Sequence, residues 1–418
     1  MKKLFLLVLT LIVTFGLSAC GEDNDKVTIT FLNGKAEAVD WVDAVILDFE
    51  AEYPNIEVVH EFNTDASNAL KVKIAGDDIP DITTVYDTAL MKDGYYYDLS
   101  ELEVWDRIDP SIKALCTDPL TGNQYRIATN RTMAGLFYNK DIFTEVGATE
   151  PETWAEFVAV LEDVTDAGYD GLYMGGKDTW MIGHLIEFWA HGLIKQELGT
   201  VDANVAFLMN QTTLLNFDSA NGPMETFAES FLELKDAGLL NDDFLTATYD
   251  NQIDAFANGD AAVISQGMWA LGGILEKAPE LADSIGFMPY PAMDPTKDAV
   301  ILSAEDSGYA IMEASENKDA AITFLNYLFQ ADIQKEYSEL MKSPSAFIDV
   351  IADWSPISAA VESALAKGTH IGFTATPSGF GGGEAGILVQ NLYLGEYTVA
   401  EFVEEYTDSW NEAWNASN

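Results

Sequence analysis

The chain has 418 residues but only two cysteines and four histidines. Cys20 ends an N-terminal leader pattern in which the cysteine is taken up by lipid, so Cys116 is left as the one free thiol. An intramolecular disulfide is excluded, and stability must come from packing. His60, His184, His191 and His370 are scattered. His184 and His191 fall near one face of a helix, but no cysteine or third histidine joins them, so no metal site is read there. Cationic residues are also scarce: 21 Lys and Arg stand against 69 Asp and Glu, a net charge of −48. Such a field repels nucleic acid and anionic headgroups, and it argues against an anionic ligand. There is no G-x-S-x-G elbow and no H-E-x-x-H pair. Gly381-Gly382-Gly383 follows Phe380 without the lysine of a phosphate-binding loop. Carboxylates are abundant, but no spacing singles out an acid–base pair. No catalytic residue and no cofactor is read from the sequence.

The first twenty residues have their own logic. Lys2 and Lys3 precede an apolar stretch from Leu4 to Phe15, too short to span a bilayer. It ends in Leu17-Ser18-Ala19-Cys20, the pattern of a bacterial lipobox. Residues 1–19 are therefore expected to be a signal peptide, Cys20 the lipidated residue, and 20–26 a tether. The expected location is the outer face of the cytoplasmic membrane, held by lipid alone.

From Val27 the pattern alternates. Val27–Leu32 reads as a strand, then a helix carries Val42, Val45, Ile46 and Phe49 on one face. Ile56–Val59 is a second strand, 66–75 a second helix, and Ile82 starts a third strand. Strand–helix alternation of this kind makes a parallel α/β sheet. Further on, an apolar run ends at Tyr138, Gly147 stops a short helix, and Thr153 with Glu156 forms a capping box. Phe157, Leu161 and Val164 then mark one helix face. A long apolar helix is expected from Trp180 to Leu193. There is no internal repeat and no low-complexity linker.

The run YNKDIFTEVGATEPETWAEF (residues 138–157) resembles a marker of the extracellular solute-binding proteins of family 1, the sugar receptors of ABC importers. F-x-x-G-x-A-A…G-x-W, from Phe256 to Trp269, is similar to a second marker, and VTITFLNGK with IAGDDIPDI resembles the family's first lobe. The resemblance implies a two-lobed α/β fold of the periplasmic-binding-protein type II class. Three crossings would join the lobes around a ligand cleft. The first lobe is expected to comprise 27–128 and 292–340, and the second 129–291 and 341–418. The crossings are expected near Tyr125–Ala128, at Ile285–Pro291, and within 336–346. Arg126 departs from the family pattern, in which proline is usual.

The same resemblance implies function. A monomeric receptor would bind a sugar or oligosaccharide and deliver it to an ABC permease, with no cofactor, no metal and no nucleic acid. A sugar offers C–H faces to aromatic rings and hydroxyls to charged groups. Trp269 matches the stacking tryptophan of the second marker, and Trp180 with Asp178 opens a helix where the family presents an aromatic. Asn33 and Lys35 end the first strand, where a plain turn is the other reading. Tyr86, Asp87, Arg131, Asp306 and Phe380 complete the candidate ligand set. Two alternatives remain on the sequence: a non-sugar solute such as a polyamine, which an acidic aromatic cage would suit, and a surface glycoside-cleaving enzyme.

Overall fold

A computed structural model describes residues 26–63, 66–306 and 308–417. The leader and Cys20 lie outside the described residues. Eleven strands are described: β1 Val27–Asn33, β2 Ile56–Phe62, β3 Ile82–Thr83, β4 Ile127–Ala128, β5 Arg131–Asn139, β6 Asp170–Tyr173, β7 Ala261–Gly267, β8 Ile285–Met288, β9 Val300–Glu305, β10 Gly308–Ile311 and β11 Thr369–Ile371. They form two sheets. The first runs β2-β1-β3-β10-β4, and the second β11-β9-β5-β7-β6 with β8 also on β5.

The first sheet grows from the pattern seen in the sequence. β1 pairs with β2 in parallel from Val27↔Ile56 to Asn33↔Phe62. Helix Val39–Glu52 crosses between them and buries Val42, Val45, Ile46 and Phe49. The spacing 3, 1, 3 puts those four side chains on one stripe, as an amphipathic helix requires. Each large side chain so buried stabilises the lobe by about 1.5–3 kcal/mol.

The second sheet is centred on β5, which is buried along almost its whole length. Asn139 ends it, and its side chain accepts hydrogen bonds from the amides of Asp141 and Ile142, capping helix Lys140–Val146. Gly147 closes that helix at φ 72°, a conformation that costs a residue without Cβ little. Helix Trp154–Asp166 opens with both bonds of the Thr153/Glu156 box and buries Phe157, Leu161 and Val164. The single helix expected from Trp180 to Leu193 is instead two, Thr179–Phe188 and Ala190–Leu198, broken at Trp189.

Where the chain changes lobes, the expected boundaries need correction. β4 ends the first sheet at Ala128 and β5 begins the second at Arg131, as anticipated. Ile285–Met288 is not a crossing, because it pairs with Leu136–Asn139 inside the second sheet. Nor does 292 begin the return: β9 lies against β5, Arg131 opposite Glu305. The chain crosses only between Glu305 and Gly308, where β10 joins β3 and β4. Both crossings run side by side, and the amide of Asp306 donates to the carbonyl of Asn130 in the gap. The third crossing also falls later than 336–346. Phe347 and Val350 still pack on the first core, whereas Trp354 and Ile357 pack on the second.

Candidate binding cleft between the lobes

Sheet topology decides which strand ends meet. In the first lobe, β1, β3 and β4 end facing the crossings. In the second, β6, β7, β9 and β11 end on the same side, at the start of β5. Loops leaving the carboxyl ends of strands from both lobes therefore converge, the place where open α/β sheets bind ligands. A cavity of about 440 Å³ lies there. The first lobe supplies Tyr86, Asp118 and Arg126, the second supplies Asn204, Phe373 and Thr374, and the crossing supplies Glu305 and Asp306. A larger hollow of about 810 Å³, lined by Asp170, Asp242, Asp243, Asp254 and Asp260, sits at the amino ends of β6 and β7 and involves the second lobe alone.

The floor of the cleft is built from ion pairs. Arg126 donates to Glu305 Oε1, and its guanidinium lies 4.5 Å from the centroid of the Tyr86 ring. Burial is the largest influence on the Arg126 pKa and lowers it, but Glu305, Cys116 and Tyr86 together raise it by more, so the net shift is upward and the guanidinium stays charged. Lys35 Nζ is 2.9 and 2.8 Å from the two carboxylate oxygens of Asp306. Asp118 is turned into its own loop and accepts from the amides of Leu120 and Thr121 and from the Thr121 hydroxyl. Burial pushes the Tyr86 phenol up to about 12, with Arg126 opposing, so it remains a neutral hydrogen-bond donor.

The wall of the second lobe is the segment 372–375, held from behind by buried charge. Lys195, 1% exposed, donates to the Gly372 carbonyl at 2.5 Å and to Thr374 Oγ1 at 2.8 Å. His191 bridges Thr374 Oγ1 at 3.0 Å and the Tyr406 hydroxyl at 2.8 Å. The Thr374 amide donates to Glu187. With three side chains fixing this segment, Phe373 is presented half-buried at the cavity, and its ring lies 6.2 Å from that of His184.

The candidate residues from the sequence divide into three groups. Tyr86 and Asp306 line the cavity, and Lys35 reaches it through Asp306. The Tyr86 ring is already engaged, by the Arg126 guanidinium and by stacking on Tyr96 at 5.3 Å. Trp180 and Trp269 stand at the carboxyl ends of β6 and β7, on the cleft side of the second lobe but outside the enclosed cavity. They flank His184, at 5.5 and 6.5 Å between ring centroids, and continue the aromatic surface from Phe373. The remaining five have local partners. Asn33 is 1% exposed and bonds His60 and the Lys35 amide. Asp87 caps helix Thr88–Lys92. Asp178 accepts from the Tyr249 amide at 2.7 Å. Arg131 braces the first crossing through Ser303, Ser111 and Asp109. Phe380 is packed edge-on to Tyr406 and Trp410 in the second core, 4% exposed, so it is not a cleft residue.

Phe373, Arg126 and Glu305 carry more of the cavity than the sequence indicated. Arg126 carried a signal, an arginine in place of proline. Phe373 had none beyond being an aromatic in a loop.

Two α/β lobes joined by three crossings, with a cavity shared between them, define a cleft-type binding protein. The chain belongs to the bacterial extracellular solute-binding protein family, whose model matches residues 35–335; it is a binding protein rather than an enzyme. It is 26% identical over 368 residues to the multiple sugar-binding protein of Streptococcus mutans, with 84% of each chain covered. It is 25% identical over 374 residues to the melibiose/raffinose/stachyose-binding protein MelE of Bacillus subtilis, covering 84% of this chain and 83% of that one. The fold matches a Bacillus subtilis binding protein solved in an open conformation, with a TM-score of 0.81, 20% identity, and 94% and 99% of the chains covered. No helix among the described residues is long and apolar enough to cross a membrane.

Proposed function

We propose that the protein is a cell-surface receptor that captures a neutral oligosaccharide between its lobes and delivers it to an ABC import permease. The observation that carries this reading is the lining of the inter-lobe cavity. An aromatic ring, Phe373, faces a floor of fixed hydrogen-bonding groups contributed by both lobes and the crossing. A ligand bonded to both lobes favours the closed arrangement by its differential contacts, and closure is what a permease can read. The relatives named for melibiose, raffinose, stachyose and multiple sugars support the sugar class.

The charge balance of the floor weighs against a polyamine. Although the chain carries −48 overall, Glu305 and Asp306 are each neutralised by a cation, so the cavity presents no strong net attraction for a polycation. Anchoring at Cys20 follows from the lipobox pattern, and a Cys20→Ala variant should leave the membrane fraction.

Calorimetric titration with melibiose, raffinose, stachyose and spermidine tests the ligand class. Saturable binding of a sugar, with a smaller radius of gyration in scattering, is expected. Tight spermidine binding with no response to any sugar would overturn the reading.

A further inference from the structure

We propose that Glu305 sets the charge selectivity of the cleft: it engages the Arg126 guanidinium, leaves no free cation to meet a phosphate, and so restricts the receptor to neutral, hydroxyl-rich sugars. The proposal rests on the sugar-receptor reading above and specifies the class of sugar accepted.

Arg126 is the one cationic side chain lining the cavity among the described residues. In isolation it would be a ready partner for a phosphate, since a guanidinium pairs with phosphate oxygens through two parallel hydrogen bonds. Here it is committed twice, to Glu305 Oε1 and to the face of Tyr86. The Glu305 side chain is 9% exposed and that of Arg126 20%, so the pair is shielded from solvent ions that would otherwise loosen it. The neighbouring cation, Lys35, is taken by Asp306 in the same way. What remains unneutralised is Asp118, with no basic side chain within ion-pair distance among the described residues. Glu305 Oε2 adds a buried acceptor that has no hydrogen-bond partner among the described residues. The floor therefore offers acceptors and neutral pairs. A dianionic phosphoryl group brought against it would meet the unneutralised Asp118 carboxylate and two cations whose charge is already offset by Glu305 and Asp306. A neutral hydroxyl meets no such barrier and can donate to a carboxylate.

The loop chemistry explains why the sequence places the pair here. Glu305 is the last residue of β9, opposite Arg131 on β5, and Arg126 immediately precedes β4. Because β4 and β9 flank adjacent crossings, the two side chains meet at the base of the cleft without a long reach. The residue at 126 is an arginine where the family pattern has proline, and Glu305 is its counter-charge.

The test compares melibiose, raffinose and stachyose, each alongside its derivative phosphorylated at the terminal galactose 6-hydroxyl, by calorimetric titration. The wild-type protein should bind at least one neutral sugar and bind its phosphorylated partner at least about 100-fold more weakly. Glu305→Gln keeps the shape and removes the charge. One charge removed at cavity distances should narrow that ratio by about 10-fold or more. Glu305→Asp, which keeps the charge, should retain most of the discrimination, and it serves if the glutamine variant fails to fold. Equal wild-type affinity for neutral and phosphorylated forms would overturn the proposal while leaving a sugar receptor in place, as would a ratio unchanged in Glu305→Gln. If no neutral sugar binds, the sugar-receptor reading falls and the selectivity proposal falls with it.

Discussion

Leu115 of the first lobe sits against Gly372 of the second: a Cβ built on the glycine would lie 3.1 Å from the leucine Cδ2. Thr200 and Asn204 close the same spot from the second lobe, at 3.6 and 3.9 Å. Here the lobes meet at the edge of the cavity, and any side chain at 372 must push Leu115 away.

Gly372→Val should therefore act as a wedge. Two methyls inserted where one Cβ already crowds Leu115 should hold the lobes further apart. The expected result is about a 10-fold loss of sugar affinity, a larger radius of gyration with ligand present, and little change in ligand-free melting. Unchanged affinity would mean that closure does not pass through this contact.

Phe373→Ala addresses the aromatic wall. Ring stacking on a sugar contributes roughly 0.5–1.5 kcal/mol beyond area, and part of a burial of about 1.5–3 kcal/mol is lost with it. A loss of about 2–3 kcal/mol is expected, roughly 30- to 150-fold in affinity, with a melting temperature close to wild type. Trp269→Ala, farther from the enclosed cavity, should weaken long oligosaccharides more than disaccharides. Titration with melibiose and stachyose distinguishes the two positions.

Phe380→Ala should show the opposite signature. The ring is packed against Tyr406 and Trp410, so its removal leaves a cavity in the second core and costs about 3–5 kcal/mol of stability. The folded fraction should bind sugar normally. A normal melt with lost binding would return Phe380 to the cleft.

The buried groups behind Thr374 give a pH dependence with a definite sign. Burial first, and the Lys195 charge second, hold the His191 pKa well below its ordinary 6.5. The unfolded chain then takes up more protons than the folded one, so stability falls as pH drops below about 6.5. Lys195 follows the same rule at the other end. Burial pushes it down from 10.5 to about 8, with Glu187 and Glu305 opposing, so its contribution to stability rises as pH climbs from about 8 toward 10.5. Thermal melts across pH 5–10 should show a shallower acid limb for His191→Gln and a flattened alkaline rise for Lys195→Met. Parallel curves for wild type and both variants would show that neither group titrates as described.

Much of the fold was legible because local patterns determined it. The stripe Val42, Val45, Ile46, Phe49 and the Thr153/Glu156 box each depend on residues within two turns of helix, and both stand in the structure as read. The second crossing was misplaced because β8 and β9 are short apolar strands whose partner, β5, lies about 150 residues earlier. No local pattern says which sheet such a strand will join. The site was legible in the same uneven way. Trp269 belongs to a motif position just after a strand and Trp180 to the first turn of a helix, both local signals, whereas the Glu305–Arg126 pair joins residues 179 positions apart. Phe380 misled because an aromatic beside three glycines resembles an exposed loop; its burial depends on Tyr406 and Trp410 in the last helix, Val399–Ser417.

The paired crossings have a mechanical consequence. β4 runs into β5 and β9 into β10 as adjacent antiparallel segments, and hydrogen bonding continues through the gap, from Arg131 opposite Glu305, through Asp306 to Asn130, to Ala128 opposite Gly308. A two-stranded ribbon of this kind resists stretching and sideways shear but yields to twist and bend, in the manner of a strip flexure. Twist and bend of this ribbon are thus the soft modes it leaves to the lobes. Because the ribbon's bonds need not break in twist or bend, the proposed closure would be opposed mainly by the few side chains at the rim and floor of the cleft.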